Sequence, residues 1–182
     1  MTLRAIAQAA GISQGNLTYH YPTKGDLIQE LYFDLVQSLD AIVGQAQADT
    51  PTLMLLYQSG RMVMEHMQAY RFLLLDFVSI MQSQPVIRDH YLQLQQRRQQ
   101  EFLFLFGRLQ QEGLMRGEQF EGEYRRLYER MNILGDYWIN AQQVLYPDRD
   151  LTYYLELLLE TLYPYLTEQG QAAYRGLFGL GK

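Results

Sequence analysis

Apolar residues recur at three- and four-residue steps along almost the whole chain, and no stretch alternates apolar and polar positions as a half-buried strand does. The pattern therefore predicts an all-α protein. Leu3, Ile6, Ala7 and Ala10 mark one face of a short helix that Thr2 can cap and Gly11 can end, since glycine enters the left-handed conformation of a C′ position without a steric penalty. A second short helix starts at once. Ser13 is a good N-cap, Ile12 and Leu17 have the spacing of a hydrophobic staple, and Pro22 stops the helix after about two turns. Thr23 then caps a longer helix with Asp26 in its first turn and Leu27, Ile28, Leu31, Leu35, Leu39, Ile42 and Val43 along its inner face.

The small, polar run GQAQADTP at 44–51 predicts a helix end and a domain boundary, giving a head over 1–46 and a body over 47–182. Within the body the spacing predicts helices over 53–68 and 70–82, a break at Pro85, and one long helix over 86–112 that ends at Gly113. Tyr124, Leu127, Tyr128, Met131, Leu134, Trp138, Ala141 and Leu145 define the next helix. A last major helix is expected over 151–166, bent or ended by Pro164.

Composition narrows the function classes. With 182 residues, 48% of them hydrophobic, the chain can bury a substantial core. There is no cysteine, so disulfides, thiolate catalysis and sulfur-ligated metals are excluded, in keeping with a reducing cytoplasm. No signal peptide and no apolar run near the roughly 18 residues of a membrane span is present, so the reading is a soluble, cytoplasmic protein with no membrane partner. Glu65 and His66 have no second histidine to complete HExxH, and no metal or other cofactor is expected. Neither GxSxG, a P-loop nor GxGxxG occurs, and no enzyme is expected.

A net charge of −5 argues against a uniformly basic nucleic-acid coat. Its distribution says more. Residues 1–25 carry Arg4 and Lys24 and no acid, a net +2 that leaves −7 for the rest. The segment 2–24, helix, glycine turn, helix, has the layout that sets a recognition helix into the DNA major groove. With Ile12, Leu17 and Tyr21 turned inward, Gln14, Asn16, Thr18, Tyr19 and His20 are left for solvent. Gln and Asn pair bidentately with adenine edges and Thr meets a thymine methyl. Gly15 permits close backbone approach, and Tyr19, His20 and Lys24 suit phosphate oxygens.

The stretch TLRAIAQAAGISQGNLTYHYPTKGDL resembles the DNA-binding signature of the TetR/AcrR regulators. The resemblance implies that Thr2 caps a helix near a phosphate, that Gln14 and Asn16 face bases, and that Tyr19, His20 and Lys24 hold the DNA backbone, with Ser13, Gly15 and Thr18 completing the DNA-facing set. EGLMRGE at 112–118 is similar to the family's usual end of its seventh helix, and the helices over 119–145 and 150–166 stand where its dimer-forming pair belongs. Tyr124, Tyr128, Met131, Leu134, Leu155, Leu158 and Leu162 are the interface residues this implies for a homodimer. The chain departs from the family at Thr18, usually tyrosine, so that a phosphate contact is either lost or taken over by Tyr19. The family also has a helix ahead of the position of Thr2. Either the natural start lies upstream of Met1, the preferred expectation, or the chain is a shortened form with impaired DNA binding.

Met62, Met67, Phe77, Phe102, Phe106 and Trp138 are candidates to line an adaptable ligand cavity, the other Met and aromatic residues of the body reading as core. Arg97 and Arg98 read as a solvated face in preference to an acid-binding pair. Together these features lead us to expect a helix-turn-helix head joined by a long helix to a helical ligand-binding and dimerisation domain. The expected protein is a repressor released from palindromic operator DNA by a small apolar effector; the alternative is a helical dimeric ligand- or protein-binding module that no longer binds DNA.

Overall fold

The computed structural model describes residues 2–44 and 50–178. Its first helix, α1 (Leu3–Ala9), begins where the Thr2 hydroxyl accepts from the Ala5 amide at 3.3 Å and gives way to Gly11, whose φ of 68° suits glycine. Ser13 opens α2 (Gln14–His20) in the same way, accepting from the Asn16 amide at 3.1 Å. The start of α3 (Lys24–Gly44) is capped reciprocally: the Asp26 amide donates to the Thr23 hydroxyl, while the Thr23 amide and hydroxyl donate to the Asp26 carboxylate at 2.8 and 2.7 Å. α1 packs on α2, with Ala7 and Leu17 buried between them. The inward turn expected of Ile12, Leu17 and Tyr21 holds fully for Leu17 alone. Ile12 remains 41% exposed and Tyr21 half-buried, because two seven-residue helices enclose little surface.

The body comprises α4 (Thr52–Ala69), α5 (Arg71–Leu75), α6 (Phe77–Ser83), α7 (Pro85–Gln111), α8 (Glu123–Val144), α9 (Leu151–Glu160) and α10 (Glu168–Phe178). The helix expected over 70–82 is in fact divided at Asp76, and Asn140 of α8 donates to the Leu74 carbonyl at 3.0 Å, satisfying an acceptor beside the break. Pro85 occupies the first turn of α7 instead of merely interrupting the chain, since that position needs no amide donor. The expected helix over 151–166 also stops short, at Glu160; a 3₁₀ turn at Tyr163–Tyr165 contains Pro164 and leads into α10, which the sequence reading did not foresee. The domain boundary expected at 46/47 lies outside the described residues.

α4 runs through the middle of the body, packed against α3, α7, α9 and α10. Its fully buried first residue, Thr52, donates from its amide and hydroxyl to the Glu112 carboxylate at 3.2 and 2.5 Å, so the end of α7 caps the beginning of α4. Among the most deeply buried side chains are Ile87, Phe106 and Leu109 of α7, Leu127 and Ile139 of α8, and Leu155 of α9. No helix among the described residues is long and apolar enough to cross a membrane.

The α7–α8 connection is fixed by charge. Glu123, the buried first residue of α8, accepts from both guanidinium ends of Arg116 at 2.8 and 2.9 Å and from the Gln119 amide at 2.7 Å. The Arg116 bonds, foremost, and the Gln119 amide hold its carboxyl down at about 2. A depressed folded pKa contributes stability that is present above the unfolded value of roughly 4.3 and lost as pH falls through the folded one. Glu123→Gln is therefore expected to unfold at lower urea than the native protein at pH 6, with the difference shrinking between about pH 4.5 and 2. A gap that stayed constant across that window would assign the loss to packing instead of charge.

Candidate nucleic-acid interface and ligand cavity

The outer side of α2 presents Gln14, Gly15, Asn16, Tyr19 and His20 to solvent, Tyr19 being 83% exposed. Thr18 is half-buried, and its hydroxyl donates back to the Gln14 carbonyl at 2.9 Å, so that donor is occupied within the helix. A Cβ placed on Gly15 would meet no protein atom within 4 Å; nothing in the protomer requires glycine there. The hydroxyls of Thr2 and Ser13 accept backbone bonds as N-caps, which leaves each O–H free to donate outward. Lys24 is exposed at the first turn of α3 and forms no salt bridge among the described residues. All nine residues chosen from the sequence thus lie on α2 or at the starts of α1, α2 and α3, Thr18 alone turned partly inward.

A cavity of about 850 Å³ opens within the body, walled by α3, α4, α7 and α8 with help from α5, α6 and α9. Of the six residues chosen for it, Met67, Phe77 and Phe102 line it. Met62 is 40% exposed on the outside of α4, Phe106 is fully buried against Tyr124, and Trp138 packs on Tyr154 at 5.5 Å; none of these three is part of the lining. Helical phase turns Met62 outward and Trp138 toward α9, whereas Phe106, one turn after Phe102 on the same face, is packed into the core against Tyr124.

The sequence reading missed the polar groups of the cavity. Tyr91 donates a short hydrogen bond to the Asp136 carboxylate, Gln95 donates to the same oxygen at 3.3 Å, and Asn132 bonds it as well. Burial pushes the Asp136 carboxyl up against these bonds, and likewise raises the Tyr91 hydroxyl. Tyr128 donates to Gln95 Oε1 at 2.6 Å, and Tyr32 pairs with His90 Nδ1 at 3.0 Å; burial takes both hydroxyls up to about 12. One signal was available. Tyr91, Leu94, Gln95, Arg98, Phe102 and Leu105 recur at three- and four-residue steps along α7, which puts Arg98 on the inner stripe with the apolar residues. Only Arg97 behaves as a solvated arginine, half-exposed at the cavity rim with one nitrogen 2.7 Å from both Asp40 oxygens and another 3.6 Å from Glu101.

α3 connects the two regions. Its first turn carries Lys24, Gln29 donates to Gln84 Oε1 at 2.9 Å just ahead of α7, and Tyr32, Leu35, Val36 and Leu39 form one cavity wall.

On α8 and α9, the structure places the side chains of Tyr124, Tyr128, Met131, Leu155 and Leu162 in the protomer's own core, and leaves Leu134 and Leu158 half-buried. Residues already enclosed by their own chain cannot supply a subunit interface, so those five are withdrawn from it. The same helices turn Ile133, Tyr137, Val144 and Leu157 outward, with Ile133 60% and Val144 76% exposed. Ile133, Tyr137 and Val144 fall on one stripe of α8 at four- and seven-residue steps.

The family model described as bacterial regulatory proteins, tetR family, matches residues 1–31, and the model described as TetR, bacterial transcriptional repressor, matches residues 35–174. Among solved structures, a TetR-family transcriptional regulator from Marinobacter aquaeolei VT8 is similar, with a TM-score of 0.84 and 22% identity over 97% of this chain and 86% of that one. At that identity the likeness is one of fold. No curated protein matches the chain.

Proposed function

Because the chain belongs to the TetR family of bacterial transcriptional regulators, DNA-binding proteins that are not enzymes, we propose that it is a cytoplasmic repressor that leaves a near-palindromic operator when a small apolar effector fills its cavity. The head spans 1–46 and the ligand-binding, dimer-forming body 47–182. Gln14 and Asn16 read bases, Thr18 contributes its methyl group, Gly15 allows close approach, and Thr2, Ser13, Tyr19, His20 and Lys24 hold phosphates. Regulators of this family typically act as dimers, and the outward stripe of Ile133, Tyr137 and Val144, with Leu157, supplies the pairing face. Pairing there presents two copies of α2 about one DNA turn apart, roughly 34 Å.

The observation that carries this reading is the double duty of α3, which begins at Lys24 beside α2 and walls the cavity through Tyr32, Leu35, Val36 and Leu39. A ligand that packs better against a displaced α3 favours the dimer with its heads splayed, and only that difference in affinity drives release. The test is fluorescence anisotropy with DNA from upstream of the protein's own gene and with random DNA at the same salt. Tight binding to the former, abolished by a small molecule that also raises the melting temperature, is expected. A stabilising ligand that left operator affinity untouched would refute the coupling, and equal affinity for both DNAs would refute specific recognition.

A further inference from the structure

Arg98 lines the cavity from the inner stripe of α7, yet among the described residues it makes no hydrogen bond and no salt bridge. The other charged groups of the lining are provided for. Asp40, Arg97 and Glu101 pair with one another at the rim, and the Asp136 carboxylate is held by Tyr91, Gln95 and Asn132. A guanidinium stays charged at any physiological pH and carries five N–H donors in a planar fork, two of which match the oxygens of one carboxylate. Beside it stand two hydroxyls. Tyr32 on α3 and Tyr128 on α8 share the lining with Arg98, whose positive charge reaches both hydroxyls and the Asp136 carboxylate, though it forms no salt bridge with that carboxylate. A largely apolar chamber of about 850 Å³ therefore contains one cation with no hydrogen-bonded acceptor among the described residues, and shares its lining with two hydroxyls now bonded to His90 and Gln95.

We infer that the effector is an amphiphile with a single carboxylate head, paired with the Arg98 guanidinium, and an apolar body lying among Met67, Phe77 and Phe102. The inference rests on the reading of the cavity as the effector site and adds the chemistry of its occupant. A cationic head is disfavoured because the Asp136 carboxylate already receives donors and feels the Arg98 charge, whereas Arg98 has no hydrogen-bonded acceptor among the described residues. The site also reaches the head domain, since Tyr32 belongs to α3 and a carboxylate that accepts from its hydroxyl competes with His90.

Calorimetric titration of the full chain at neutral pH and fixed salt, with dodecanoate, 1-dodecanol and dodecyltrimethylammonium below their micelle concentrations, tests the head group while holding the tail constant. Dodecanoate is expected to bind at least about tenfold more tightly than the alcohol, as a charge-assisted pair requires. Arg98→Gln should bring the acid to within about twofold of the alcohol without changing the alcohol's own affinity, and Arg98→Lys should keep part of the preference. Equal binding of acid and alcohol to the native protein, or tighter binding of the ammonium, would overturn the carboxylate assignment and leave the cavity reading standing. A preference that survived Arg98→Gln would overturn the role of Arg98. Should none of the compounds bind, the cavity reading falls and the inference with it. If Arg98→Gln fails to fold, the comparison on the native protein still decides.

Discussion

Asn16→Ala is expected to weaken binding to the preferred operator by about 1–3 kcal/mol and to relax the choice of base at one position, while binding to random DNA barely changes. The side chain is exposed on α2, and its amide has both a donor and an acceptor to offer an adenine edge. Its backbone amide, not its side chain, takes part in the Ser13 cap, so the substitution removes a recognition group and leaves the helix start intact. Lys24→Ala provides the contrast. A lysine at a phosphate acts on every sequence alike, so operator and random DNA should weaken together and the salt slope should fall by about one. Anisotropy titrations of both variants at several salt concentrations separate the cases; equal losses on operator and random DNA for Asn16→Ala would remove it from base reading.

Gly170→Ala is expected to destabilise the fold by about 2–3 kcal/mol, near the upper end for overpacking because the obstacle is main chain and not a movable side chain. A Cβ at this position would stand 2.0 Å from the Leu114 carbonyl oxygen, 2.9 Å from its carbon and 3.1 Å from the Leu166 Cβ. α10 cannot simply slide away. The Thr167 amide donates to that same carbonyl at 3.0 Å, the Thr167 hydroxyl donates to the Gly113 carbonyl at 2.7 Å, and the Gly170 amide donates to the Thr167 hydroxyl at 3.1 Å. For a chain of this size the loss corresponds to a fall in Tm of roughly 4–12 °C. A Tm within a degree of the native value would mean that α10 is not seated on the α7–α8 connection as described.

How far the sequence could be read follows from where each feature gets its partners. Thr2, Ser13 and Thr23 cap helices by bonding residues only three positions ahead, so the start of each head helix was legible locally. α10 was not, because its seat is formed by Gly113 and Leu114, more than fifty residues earlier, and its own segment is polar and glycine-rich. The division at Asp76 was equally hidden, since the group beside it is Asn140 of another helix. For the proposed pairing face, periodicity marked α8 and α9 as amphipathic but not which side of each the protomer's own core takes. Tyr124, Tyr128 and Met131 look as suitable as Ile133, Tyr137 and Val144 until it is known which side the rest of the body covers. The same ambiguity explains Met62 and Trp138, and it made Arg98 read like its neighbour Arg97. Side chains adjacent in sequence point about 100° apart on a helix, and here Arg97 is half-exposed at the cavity rim against Asp40 while Arg98 falls on the inner stripe.

The Asp40–Arg97 pair spans from the end of α3 to α7 at the cavity rim, and both partners are about half-exposed, 44% and 51%. Exposed pairs of this kind contribute only about 0–1 kcal/mol and weaken as salt screens them. A tie that weak does little to hold α3 against α7, so the position of α3 there is left to the apolar packing of Leu35, Val36 and Leu39. If the head holds phosphate as proposed, rising ionic strength would weaken that grip and the α3–α7 tie at the cavity rim together.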